Sequence, residues 1–92
     1  MQILRDKRFE KEFQKYLKKF RTLEKDLALL EKLLLKTPEG NESKHWNILK
    51  RDGKKCIFKV RMMCRAVKGS SFRVIYYYDG EAIELLLLEI YF

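Results

Sequence analysis

An α+β fold is predicted here: two antiparallel helices packed on an antiparallel sheet of four to five strands. Three observations predict it. Apolar residues in the first third of the chain recur at helical spacing, and from His45 onward the period falls to two. Asp52 with Gly53, Gly69, and Asp79 with Gly80 then punctuate the second half at hairpin intervals.

Each element follows in order. Residues 2–5 read as a short opening strand. Phe9, Phe13, Tyr16, Leu17 and Phe20 form one helical stripe, with Lys11, Lys15, Lys18 and Lys19 on the remaining circumference. With Asp6 as N-cap, the first helix spans about residues 7–20. Thr22 is placed to cap the second. Its stripe is Leu23, Leu27, Leu30 and Leu34, widened by Leu29 and Leu33. It ends at Thr37, because the residue before Pro38 avoids helical ψ. Residues 36–44 form a loop. Strands follow at roughly 45–51, 55–66, 72–78 and 81–91. A two-residue turn at Asp79 and Gly80 would set Val74 opposite Leu85, Tyr76 opposite Ile83, and Phe72 opposite Leu87. That face is apolar and should meet the helices. Arg73, Ile75, Tyr77 and Glu84 share the other.

At 92 residues the chain makes one domain, 1–92, with a small core. Its net charge of +8 is unevenly placed. Residues 44–73 hold ten basic side chains against Asp52 alone, whereas residues 74–92 hold four acids and no base. A localised excess points to a polyanionic partner, against the alternative of a merely solvated basic surface. The N-terminus is charged from Arg5 and lacks the apolar core of a signal peptide. No window approaches the ~18 apolar residues of a membrane helix. A cytoplasmic protein with no membrane contact is expected. Cys56 and Cys64 lie in one predicted strand, well over ~20 Å apart at about 3.3 Å per residue, so they cannot bridge each other. They read as core residues of a reducing compartment. With one His and no paired cysteine motif, no metal and no cofactor are expected.

The segment CIFKVRMMCRAVKGSSFRVIYYYD, residues 56–79, carries the chemistry. Lys59, Arg61 and Arg65 share one parity, and Phe58, Val60, Met62 and Cys64 share the other, so the strand should be cationic on one face and apolar on its reverse. An arginine stays charged and can hold two phosphate oxygens at once. A lysine in like-charged company can act as a base. Lys54, Lys55 and Lys68 would hold a nucleic-acid backbone, and Tyr77 or Tyr78 could stack a base. Each has a plainer reading: Arg73 paired with Glu84 across strands, Lys59 and Arg61 as solubilising charges, the tyrosines as packing, and His45 with Trp46 as anchors of the first hairpin. Whether Arg73 shares a face with Lys59 and Arg61 depends on the middle turn; an odd-length loop or a bulge at Gly69 aligns them.

The βααββββ order, the basic third quarter and the phrase KGSSFRVIYYYD together resemble the RelE/ParE superfamily of toxins from bacterial and archaeal toxin–antitoxin modules. The resemblance covers most of the chain. It is strongest at Lys59, Val60 and Arg61, then Gly69, then the run from Phe72 to Tyr76. Similarity to the RelE branch implies a ribosome-dependent, metal-independent mRNA endonuclease (an mRNA interferase). It also implies a cognate antitoxin that binds the toxin as a hetero-oligomer. Similarity to the ParE branch implies inhibition of DNA gyrase instead. By motif, Arg73 matches the arginine at the scissile phosphate, and Lys59 and Arg61 match the basic pair on the preceding strand. Members carry further basic residues and often a tyrosine beyond the last strand. The sequence stops at Phe92, and Tyr91 is the phenol nearest that place. A degenerate toxin or an inactive basic RNA-binding module is therefore a further alternative.

Overall fold

Asp6 starts the first helix as its residue type predicts. It is extended (φ −66°, ψ 152°), and its carboxylate accepts the Arg8 amide at 3.1 Å. In the computed structural model, which describes residues 1–66 and 71–92, the order is β1 (Gln2–Arg5), α1 (Lys7–Leu17), α2 (Leu23–Lys36), β2 (Trp46–Asp52), β3 (Lys55–Met63), β4 (Ser71–Asp79) and β5 (Glu84–Tyr91). The five strands form one sheet in the order β1-β5-β4-β3-β2. The hairpin-connected strands pair antiparallel as expected. The opening strand instead joins β5 in parallel, with Ile3 opposite Leu85, which makes the sheet mixed. Among the described residues, no helix is long and apolar enough to cross a membrane.

The helices cover one face of the sheet. Phe9 and Phe13 from α1, and Leu23, Leu27, Leu30 and Leu34 from α2, are buried against Phe58, Val60, Met62, Phe72, Val74, Tyr76, Leu85, Leu87 and Ile90. Each such side chain contributes about 1.5–3 kcal/mol on removal from water. Leu29 and Leu33 do not widen this stripe. They remain 55% and 40% exposed, on the flank of α2 that borders a groove beside the end of β3.

Thr22 does not cap α2. It lies in helical conformation, and its hydroxyl donates to Asp26 at 2.9 Å. Asp26 is the one buried charged side chain among the described residues, and it also accepts the Arg65 amide at 3.2 Å and the Arg65 Nε at 3.1 Å. The Ala66 amide donates to the Thr22 hydroxyl at 3.0 Å. These bonds tie the exit of β3 to the start of α2. They are also why β3 stops at Met63 rather than continuing to residue 66.

Trp46 anchors the first hairpin, as its place in the sequence suggests. Its indole donates to the Tyr76 hydroxyl at 3.0 Å, which donates to the Pro38 carbonyl at 2.7 Å. Gly40 passes beneath the indole at φ 79°, where an added Cβ would sit 2.6 Å from the ring.

Two turns differ from expectation. Asp52 pairs with Lys55, so the first turn is Gly53 and Lys54. At the last hairpin, Asp79 pairs with Glu84 and the turn takes residues 80–83. The Asp79 carboxylate accepts the amides of Glu81 and Ala82 at 2.9 and 3.2 Å, which widens the turn and holds this acid below its usual pKa. Tyr76 consequently faces Leu87 rather than Ile83, and Val74 faces Ile90 after a bulge. The displacement of four at Tyr76 keeps Leu85 and Leu87 on the predicted apolar face, and the bulge adds one more residue, which brings Ile90 rather than Glu89 to that face.

Candidate nucleic-acid interface

β3 and β4 pair with Arg61 directly opposite Arg73. Their partners run from Met63 with Ser71 onward, so the connection 64–70 is odd in length and the two arginines share a face. That face is the one the helices leave open. Tyr91 on β5 is the next partner across from Arg73, and the guanidinium carbon lies 6.0 Å from the phenol centroid. On the other flank the Arg61 amide donates to the His45 carbonyl at 3.0 Å, which continues the pairing one residue beyond β2. The sheet therefore carries one rung of residues in the order His45, Arg61, Arg73, Tyr91. The next rung holds Asn47, Lys59, Ile75 and Glu89.

Two guanidiniums in direct register repel each other, with Cβ atoms about 4.5–5.5 Å apart. Among the described residues, neither these two nor Lys59 forms an ion pair, while Arg5, Arg8, Arg51 and Arg65 all do. Glu89, the nearest acid by register, is taken by Arg8 at 3.1 Å. Glu84 lies at the far end of the sheet opposite Asp79, so the cross-strand pair with Arg73 does not form. An unpaired, partly exposed pair of cations on a rigid sheet can attract an anion, and guanidinium groups can make forked contacts with phosphate.

The other predicted residues disperse. Arg65 leaves the cationic face altogether, because its Nε is drawn to Asp26 on the helix side; the parity argument failed where the strand ended early. Lys55 is six residues along β3 from Arg61, about 20 Å away, and Lys54 lies in the turn beyond it. Tyr77 is four residues from Arg73, about 13 Å, and its hydroxyl donates to Asp79 at 3.5 Å. Lys68 and Gly69 lie outside the described residues. His45, read from the sequence as a hairpin anchor, does bond β3 through its carbonyl, and that bond also places it opposite Arg61. Its signal was its place just before β2, two residues from Asn47, which faces Lys59 two positions before Arg61.

Beside His45 the sheet edge opens into a cavity of about 510 Å³, whose lining includes Leu33, His45, Trp46, Arg61, Met63 and Ser71. Arg61 and Met63 also border a second groove, with Leu29, Leu33 and Arg65 along its sides. Met63 is 72% exposed. Among the described residues, no group of three or more His, Cys, Asp or Glu is arranged to hold a metal ion.

No protein-family model matches the chain, and no curated relative does. Among solved structures it is similar to a chain of the archaeal RelE–RelB complex from Pyrococcus horikoshii OT3, with a TM-score of 0.70 and 18% identity. The match covers 97% of this chain and 90% of that one. The fold is therefore RelE-like, as the sequence resemblance implied.

Proposed function

We propose that this protein is the toxin of a toxin–antitoxin module and cleaves mRNA on the ribosome in the cytoplasm, without a metal ion. The observation that carries the proposal is the unpaired Arg61 and Arg73, in register on the open face. Phosphate between them would cancel their mutual repulsion. It would also gain further charge stabilisation as the pentavalent transition state forms. Lys59, one rung away, supplies a third cation. Tyr91, across from Arg73, would donate a proton to the leaving 5′-oxygen. Lys54 and Lys55 hold the strand further along, where they add affinity but no chemistry, and Tyr77 offers a ring beside the same track. The RelE-like fold supports this reading, as does the fact that the similar solved structure is a complex with RelB.

The same comparison supports an antitoxin partner for this chain. Leu29, Leu33 and Met63, exposed beside Arg61 and Arg65, form an apolar groove with cationic edges. An acidic amphipathic segment fits that surface, and laid there it would shield Arg61 from RNA.

Induction in cells with mapping of mRNA ends tests the proposal. The wild type should arrest growth and cut mRNA at the ribosomal A site. Arg73→Ala should cut at least about 100-fold more slowly, the scale for loss of one transition-state charge contact. Undiminished cutting by that variant would refute the assignment. Growth arrest with intact mRNA and inhibited gyrase supercoiling would move the protein to the ParE mechanism.

A further inference from the structure

The rung has a phosphate grip at its centre and a phenol at one end, and at the other end stands the one histidine of the chain. We propose that His45 is the general base of the cleavage reaction, an inference that rests on the ribonuclease reading above. The Arg61 amide donates to the His45 carbonyl at 3.0 Å, so the backbone of residue 45 is held opposite Arg61, and both residues line the same cavity. The approach is ordered from the loop side too: Ser43 Nα donates to Asn41 at 3.1 Å, and the His45 amide donates to the Ser43 hydroxyl at 3.2 Å. The ring is exposed to solvent and shares its cavity with Arg61, Met63 and Ser71, so an RNA strand can reach it.

Lys59 is the competing base, but it stands one rung further along β3, between Asn47 and Ile75. A residue on the phosphate's own rung is better placed to reach the adjacent 2′-oxygen. In the step, neutral imidazole takes the 2′-hydroxyl proton while the 2′-oxygen forms its bond to phosphorus. The bond from phosphorus to the 5′-oxygen breaks, that oxygen keeps the electron pair, and it takes a proton from the Tyr91 phenol. The products are a 2′,3′-cyclic phosphate and a free 5′-hydroxyl. Water then returns a proton to the phenolate and removes the one held by His45.

This arrangement makes cleavage pH-dependent in a defined sense. The base must be neutral to accept the proton, so protonation of the imidazole stops cleavage and the rate falls toward acid. The charged group that shares the cavity with His45 is Arg61, which is always cationic; Leu33, Asn41, Ser43, Trp46, Met63 and Ser71 carry no titratable group.

Single-turnover cleavage of ribosome-bound mRNA tests the assignment. His45→Gln keeps the backbone carbonyl that bonds Arg61, so the fold is retained. It should slow cleavage by about 100-fold or more and abolish the acidic limb of the pH profile. Lys59→Met should slow cleavage but keep that limb. A His45→Gln enzyme within a few-fold of wild type, or one whose acidic limb persists, overturns the proposal even where Arg73→Ala confirms the nuclease. A second measurement needs no ribosome. Adenosine 3′-monophosphate added to the protein should move the single histidine Cε1–H resonance in the wild type, and should leave it unmoved in the Arg61→Ala/Arg73→Ala double variant. A resonance indifferent to the nucleotide in the wild type overturns the placement of His45. A wild type that cuts no mRNA overturns both readings together.

Discussion

Arg61 and Arg73 face each other across β3 and β4 with no carboxylate to separate them. A residue chosen for stability at either place would be neutral or acidic, so the pair is a local cost to the fold. Directly opposed like charges weaken an antiparallel pair by about 0.2–1 kcal/mol relative to small neutral residues. Arg61→Gln should therefore raise the urea midpoint slightly while it weakens RNA binding. A variant that lost stability would mean that the guanidinium packs rather than repels. Asp26 shows the contrary case. It too is charged, and it is buried, yet every bond it can accept from Thr22 and Arg65 is made, so it stabilises the exit of β3. Burial and partners, not residue type, separate the satisfied charge of Asp26 from the unpaired charges of Arg61 and Arg73. The alternating pattern of residues 59–65 showed only that cations were present.

Elements hold the rung in place through bonds that no local pattern announced. Trp46, Tyr76 and Pro38 join the start of β2, the middle of β4 and the loop after α2 in one chain of hydrogen bonds. Burial raises the Tyr76 phenol well above its ordinary value; the bond from Trp46 opposes that shift but does not cancel it. The sign of the pH effect follows. The folded state favours the protonated phenol, so this stabilisation is complete below the ordinary phenol value of about 10 and is lost as pH climbs beyond it. Tyr76→Phe should thus flatten the alkaline limb of a stability profile measured by denaturant unfolding at several pH values. At neutral pH it should cost about 1–2 kcal/mol, because the Pro38 carbonyl and the Trp46 indole lose their partner. An alkaline limb as steep as in the wild type would assign it to another group. The loop before β2 would loosen in this variant, and His45 follows directly on that loop.

Over the whole molecule the net charge is +8, and the open face of the sheet has one end with Arg61 and Arg73 and another where Lys55 stands among Asp52, Asp79 and Glu84. RNA affinity should consequently fall steeply with salt. For single strands the logarithmic slope is about 0.7 per phosphate contact. Removing Arg61 or Arg73 should lower that slope by about one contact each, while Arg65→Gln should change it less, since Asp26 already holds that side chain. Equal effects from all three would show that binding is diffuse and that the rung has no special part in it.

The sequence by itself determined the element order, the two helices, the apolar face of each central strand and the presence of a cationic stretch. These follow from periods of 3.6 and 2, from caps such as Asp6, and from turn residues, all of which act over a few neighbouring positions. Only the tertiary structure decided which cations meet. Arg73 came to stand beside Arg61 through the register across residues 64–70, and Tyr91 joined them through a wide turn and a bulge. His45 was brought in by one backbone bond, and Arg65 was removed by a buried carboxylate 39 residues earlier in the chain. Strand register and long-range ion pairs are settled by contacts between distant segments, and a linear pattern holds no distance between them.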